Sequence, residues 1–226
     1  MPRDESRFLH RACSGGLDLA SVSDLTSWVL TFACQSDPAA VDILHWSFVP
    51  EAQLEPKRNP KHWPQYREWV SGGYLLVTPG DAVDYKFIVA HVLADAARFR
   101  IQSVAVDRLW QGQAVMTDLA DAGVNVFGFG QGFLSMGPAV REFERLLLGK
   151  QLHHGRDPVL RWAVSNAVVV RDPAGLQKID KERSAAKVDP LVALVMALDR
   201  KSRDVAPAPG VRGVCKVWTP DGFKAL

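Results

Sequence analysis

Two apolar runs near the start of the chain constrain its fold most: Leu25 to Ala33 (LTSWVLTFA) and Val41 to Val49 (VDILHWSFV). Both are dense in β-branched and aromatic residues, and Asp37-Pro38 supplies a turn between them, so they read as consecutive strands. A third stretch, Gly15 to Ala20 (GGLDLA), begins behind a glycine pair and reads as a strand as well. Connections this short join antiparallel neighbours, which predicts a three-strand meander.

The pattern then changes. Residues 84–99 place Ile88, Val92, Ala96 and Phe99 on one helical stripe. A short apolar strand follows, Ser103 to Val106, closed by Asp107. Residues 111–122 read as a helix stopped by Gly123, and Val124 to Phe127 as a strand before the break GFGQG. Helices are expected at 138–148 and 190–200, with a strand at Ala167 to Arg171 between them. A meander followed by alternating helix and strand predicts an α/β fold, with a mixed central sheet flanked by helices. The expected organisation is a lead-in over 1–14, one domain over 15–204, and a Pro/Ala linker with a tail over 205–226. Residues 211–226 have no clear periodicity and read as a mobile or docking segment.

Composition narrows the function classes. At 226 residues, 47% hydrophobic and 23% charged, the chain is not a disordered one. Lys plus Arg is 27 against 25 Asp plus Glu, a net charge of +2, which excludes a polybasic coat but not a local basic groove. The three cysteines, Cys13, Cys34 and Cys215, form no CxxC. Neither a disulfide framework nor a zinc ribbon is readable, and a reduced intracellular setting is expected. No run of eighteen apolar residues occurs, and MPRDESRFLHRA lacks the apolar core of a signal peptide. The expected location is the cytoplasm of the cell that makes the protein.

Four carboxylates stand at element ends. Asp18 lies in the first strand, Asp24 six residues later, Asp107 closes the SVAVD strand, and Asp189 opens the last helix. Brought together, such groups repel one another unless cations neutralise them, and oxygen-only ligands suit Mg²⁺ or Mn²⁺. Two such ions can activate water and stabilise a leaving oxygen in phosphodiester cleavage. Each Asp also has a structural reading: a turn residue at a strand end, a turn cap in SVSDLT for Asp24, and for Asp189 an N-cap with Pro190 at N1. GFGQG has the composition of a phosphate loop, but no GK[ST] follows it. His153-His154 lack the spacing of helical zinc ligands and read as loop residues. No Ser or Cys has a suggestive His partner. Lys57 to Trp69 (KRNPKHWPQYREW) mixes four cations with aromatics, either as a grip on a DNA backbone or as an exposed loop leading into a helix.

GGLDLASVSDLTSWV resembles the opening of the nuclease domain in tailed-phage terminase large subunits. The likeness continues in order through WVSGGYLLVTPGDAVDY, VAVDRL and FGFGQGFLSMGPAVREFERLLL. It ends with the long block from HHGRDPVLRW to VDPLVALVMAL, so it runs from about residue 8 to residue 200. The resemblance implies a ribonuclease H-like fold carrying a two-metal (Mg²⁺ or Mn²⁺) endonuclease that cuts concatemeric double-stranded phage DNA during packaging. Asp18, Asp107 and Asp189 fall on the family's metal-binding carboxylates, and Asp24 on an additional acidic position of the same motif. It also implies an ATPase motor, a portal ring and a small terminase subunit as partners, in the cytoplasm of a bacterial host. No Walker motif occurs, so the chain reads as the nuclease part alone, an excised piece or a prophage remnant, with no ATP site. Pro190 stands where the family usually has Gly. The DNA contacts expected are Lys57, Arg58, Lys61 and Arg67, with Lys181, Arg183 and Lys187 leading up to the last Asp. Two other readings stand beside this one. One is a catalytically silent module that binds DNA or the portal and needs the motor to cut. The other is a junction resolvase or transposase, which shares the acidic triad but not the SNAVVV-to-VDPLVAL block.

Overall fold

A computed structural model describes residues 4–20, 22, 24–108, 112–204, 216–219 and 222–225. In chain order the elements are β1 (Ala12–Asp18), β2 (Thr26–Ala33), β3 (Val41–Pro50), α1 (Trp63–Ser71), β4 (Leu75–Thr78), α2 (Tyr85–Arg98), β5 (Arg100–Asp107), α3 (Gly112–Asp121) and β6 (Val126–Phe129). They continue with α4 (Phe133–Leu148), β7 (Leu152–His153), α5 (Pro158–Asn166), β8 (Val169–Arg171), β9 (Gln177–Ile179), α6 (Asp189–Arg203), β10 (Lys216–Thr219) and β11 (Gly222–Ala225).

The expected meander forms. β1 pairs with β2 and β2 with β3, both antiparallel. β5 then joins the other side of β1 in parallel and β6 joins β5, while β4 and β7 pair in parallel with opposite ends of β3. The sheet order is β4-β3-β2-β1-β5-β6. β1 is therefore central, with its C-terminal end beside that of β5.

Both faces of this sheet are covered, which is why its strands are apolar without clean alternation. Along β2, Trp28, Leu30 and Phe32 pack with Ile88 and Val92 of α2 and Val115 and Leu119 of α3. Val29 points the other way, into a cluster with α4, α5 and the nearly all-buried α6. A third cluster, Leu25, Val49, Tyr66, Trp69, Leu75 and Val159, seats α1 at one end of the sheet.

Several elements depart from the sequence expectations. β1 begins at Ala12 rather than at the glycine pair. Gly15 and Gly16 lie inside it because each face needs space there: a Cβ on Gly15 would stand 2.5 Å from the Trp28 ring, and one on Gly16 2.1 Å from the Ala193 carbonyl oxygen of α6. α4 begins at Phe133, not at 138, and carries Pro138 inside it. Leu134, whose carbonyl is deprived of its intrahelical donor by that proline, is 83% exposed, so water can serve it. The expected strand at 167–171 forms as β8 but pairs only with β9, outside the central sheet. His153 belongs to β7 rather than to a loop. The linker at 205–210 lies outside the described residues. The tail, which shows no periodicity, pairs β10 with β11 as an antiparallel hairpin.

A serine–histidine–aspartate chain, unsuspected from sequence, is also present. Ser47 Oγ lies 2.7 Å from His45 Nε2, and His45 Nδ1 lies 3.0 Å from Asp157 Oδ2. All three are at most 1% exposed, so no substrate reaches the hydroxyl. Asp157 also accepts the Leu160 amide as the N-cap of α5. The chain thus fastens α5 to β3.

Gly16→Ala should destabilise the protein by about 3 kcal/mol, the upper end for overpacking a tight contact, because the added methyl meets α6 backbone rather than a movable side chain. Urea unfolding measures this; a drop below about 0.5 kcal/mol would mean that α6 shifts freely.

Candidate active site

Strand geometry alone brings two of the carboxylates together. In β1 the Gly16 position faces α6 and Leu17 faces the opposite core, so Asp18 returns to the α6 side. In β5, Ala105 packs in the α6 cluster and Val106 in the opposite one, so Asp107 returns to the same side. The register Leu17↔Val106 of these parallel strands sets the two residues that follow, Asp18 and Asp107, side by side. Asp189 is the first residue of α6, the helix lying across this face. Asp18, Asp107 and Asp189 are 0%, 9% and 7% exposed.

Two donors link the three carboxylates. β6 pairs with β5 as far as Asp107↔Phe129, so Gln131, two residues on, reaches back over the strand ends. Its Nε2 donates to Asp18 Oδ1 at 2.8 Å and to Asp107 Oδ2 at 2.9 Å. Just beyond β9, Lys181 Nζ donates to Asp18 Oδ2 at 2.7 Å and to Asp189 Oδ1 at 3.1 Å. GFGQG is thus no phosphate loop; its first two residues end β6 and its glutamine bridges two acids. Lys181, which the sequence suggested as a phosphate contact, is in the structure an ammonium held among carboxylates.

The electrostatics follow from this crowding. Burial raises the Asp18 pKa; Lys181 pulls it back and Asp107 pushes it up further. Burial likewise drives Asp189 up to about 7, opposed by Lys181 and assisted by Asp18 and Asp24. Burial by itself would depress the Lys181 ammonium, but the Asp18 and Asp189 charges outweigh it and raise its pKa. The cluster already draws in a positive charge, and its acidic ligands are all oxygen, so its chemistry fits a hard divalent cation.

Asp24 stands at the rim. Its Oδ1 accepts the Leu25 amide at 2.9 Å, as a turn cap does, and its Oδ2 pairs with Lys187. It shares neither Gln131 nor Lys181 with the other three acids in the described bonds, although its charge acts on Asp189. Lys57, Arg58, Lys61 and Arg67 are all exposed. Arg58 lies 3.6 Å from Asp81, and the Arg67 guanidinium 5.7 Å from the Trp63 ring centroid. Burial and then the charges of Lys61 and Lys187 lower the pKa of His62, while burial, Asp24 and Asp189 raise that of Tyr66. α1 and the loop before it therefore border the acidic cluster. Arg183 is exposed beside Asp180 at 3.6 Å.

One expectation about Asp189 is corrected. The N-cap of α6 is Val188, with no side-chain cap bond, so Asp189 sits at N1 and Pro190 at N2. Asp189 carries no cap bond; its oxygen is committed to Lys181. Its raised pKa has a definite stability consequence. In the folded chain it binds a proton more tightly than when unfolded, so its contribution is fully present below about pH 4 and is lost as pH rises through about 7. Asp189→Asn should therefore raise the melting temperature in chelator at pH 8, with the gain disappearing near pH 4. Paired thermal melts at the two pH values check this; an Asn variant less stable at pH 8 would contradict it.

Known proteins agree with this architecture. The family model described as terminase large subunit, endonuclease domain, matches residues 2–204. The large terminase subunit of Enterobacteria phage HK97 is 36% identical over 197 residues, covering 86% of this chain and 38% of that protein. The crystal structure of the HK97 large terminase superposes with a TM-score of 0.76 at 35% identity, over 85% of this chain and 40% of that one. This chain thus spans about two fifths of the length of that relative. The magnesium-bound large terminase nuclease of thermophilic phage G20c shares the fold at a TM-score of 0.55 and 13% identity, over 85% of this chain and 84% of that one. The fold is ribonuclease H-like, and the chain belongs to the endonuclease-domain family of terminase large subunits.

Proposed function

We propose that this nuclease domain cleaves concatemeric double-stranded viral DNA during genome packaging, with Asp18, Asp107 and Asp189 as its catalytic carboxylates. The observation that carries the reading is the convergence of three buried acids from β1, β5 and α6 on two shared donors, Gln131 and Lys181. Asp18, Asp107 and Asp189 would hold Mg²⁺ or Mn²⁺, with Asp24, whose charge acts on Asp189, as a further acidic ligand. Two such ions, when bound, would supply activation of water and neutralisation of the leaving oxygen. The metal-bound neighbours from phage G20c, with magnesium in one structure and cobalt in another, support a divalent cofactor.

The chain's own residues have separable roles. Asp18 and Asp107, fixed at strand ends, present oxygens on rigid backbone. Gln131 holds both in one orientation through its amide. Lys181 neutralises Asp18 and Asp189, and it must yield its place or share it when a cation enters. Lys57, Arg58, Lys61 and Arg67, exposed on α1 and the loop before it, would hold the phosphates of the duplex together with Arg183 and Lys187, which lead up to Asp189. An ATPase motor, a portal ring and a small terminase subunit would be its partners, in the cytoplasm of a bacterial host. The occupation of the cluster by Lys181 favours one second reading, a silent module that cuts only when joined to its motor.

Supercoiled plasmid should be nicked and linearised with Mg²⁺ or Mn²⁺ and left intact in chelator. Asp18→Asn and Asp107→Asn should lower the rate at least ~100-fold, since even outer partners of a bound metal are worth ~10–100-fold. Cleavage surviving EDTA would end the metal reading, and none under any divalent ion would favour the silent module.

Duplex binding should weaken steeply with salt. Replacing Lys57, Arg58, Lys61 and Arg67 by alanine should make the log–log salt slope shallower by about 0.9 for each phosphate no longer neutralised. An unchanged slope in a fluorescence anisotropy titration would place the DNA elsewhere.

A further inference from the structure

At the end of the sheet opposite the acidic cluster, three potential metal ligands meet. Asp18 lies where β2 begins, paired with Ser27; Cys34 follows the last residue of β2, and Asp42 is the second residue of β3. β7 pairs in parallel with that end of β3, in register Asp42↔His153. The Cys34 sulfur, an Asp42 oxygen and a His153 ring nitrogen all lie within 4.8 Å of one another.

We propose that Cys34, Asp42 and His153 form a second metal site, for a borderline-soft divalent transition ion such as Zn²⁺. The ligand set is the first argument. A thiolate, an imidazole and one carboxylate suit zinc, whereas Mg²⁺ and Mn²⁺ prefer oxygen alone. Geometry is the second. Tetrahedral zinc with bonds of about 2.0–2.2 Å to N and O requires an N···O edge of about 3.4 Å, and His153 Nδ1 lies 3.3 Å from Asp42 Oδ1. The sulfur, within 4.8 Å of both, needs only a side-chain adjustment to reach bonding distance.

The surroundings hold these groups in place. Main-chain bonds fix all three segments: the Cys34 amide donates to the Ala40 carbonyl at 3.2 Å, and the Val41 amide to the Gln151 carbonyl at 2.8 Å. Arg11 donates to the Ala33 carbonyl at 2.5 Å and lies 3.4 Å from Asp42 Oδ2. That contact engages the outer oxygen and turns Oδ1 toward His153, the kind of outer support that orients metal ligands. Ser36 Oγ lies 3.3 Å from the sulfur. Asp42 is buried, Cys34 half-buried, and the His153 side chain 42% exposed, so an ion can enter from solvent and keep a water as fourth ligand. Binding converts the Cys34 thiol to a thiolate, with its proton released to solvent. The bound ion would clip β7, and the α4–β7 connection, onto the β2–β3 turn.

Cobalt(II) is the probe, because a thiolate ligand gives it a near-ultraviolet charge-transfer absorption that an oxygen-only acidic cluster cannot produce. The full chain, reduced and then titrated with Co²⁺, should develop that band and lose it on adding Zn²⁺. The band should persist in Cys215→Ser and vanish in Cys34→Ser and in His153→Gln, with circular dichroism confirming that each variant is folded. Zn²⁺ should raise the melting temperature of Asp18→Asn but not of Asp18→Asn combined with Cys34→Ser. No charge-transfer band, or a band that survives in either Cys34→Ser or His153→Gln, would overturn the proposal. Because Asp18→Asn disables the acidic cluster, failure here is distinguishable from failure of the nuclease reading.

Discussion

The contact on which the structure depends most is that between Gly16 of β1 and the backbone of α6. A hydrogen side chain lets the helix lie so close that a Cβ would stand 2.1 Å from the Ala193 carbonyl and 2.5 Å from the Ala197 amide. Every residue of α6 from Asp189 to Asp199 is buried as a result. That closeness also sets the position of Asp189 over the end of β1. Packing and site share one cause, because a helix held further away would carry its first residue away from Asp18.

Bringing three acids into a sheet–helix junction creates a charge problem that this chain meets with its own residues. Like charges in a poorly solvated place disfavour ionisation, and the raised pKa values of Asp18 and Asp189 register this cost. Lys181 lowers it with a full positive charge, and Gln131 with an oriented amide dipole. The arrangement is a crowded acidic cluster whose charge is offset from within the chain by Lys181. The buried His45–Asp157–Ser47 chain shows the contrasting outcome. There every polar group has a fixed partner and no route to solvent, so a constellation associated with catalysis serves only to bind α5 to β3.

Much of this was legible in the sequence, for reasons that can be given element by element. The meander was readable because β2 and β3 are dense in β-branched and aromatic residues and joined by a short turn. α2 was readable because its stripe of Ile88, Val92, Ala96 and Phe99 keeps helical period, and the structure adds a cap, Asp84 accepting from the Phe87 amide. The start of α4 was not, because Pro138 looks like a first-turn proline when the exposure of Leu134 is unknown. β4 and β7 were missed because four and two residues carry too little pattern to announce a strand. The role of Asp189 as an N-cap was misread because local sequence cannot show that its oxygen is claimed by Lys181.

The sequence by itself determined the class of sheet, the four candidate acids and the family resemblance, since periodicity, turn chemistry and motif order are properties of the chain read locally. Only the tertiary structure decided which side chains share a space. Gln131 stands 113 positions from Asp18 and 24 from Asp107, Lys181 stands 163 from Asp18, and His153 stands 111 from Asp42. Such pairs leave no periodic trace, because strand register and helix packing bring them together, not spacing along the chain. That is why a glutamine in a glycine-rich break became a bridge between Asp18 and Asp107, and a lysine just beyond β9 a counter-charge to Asp18 and Asp189.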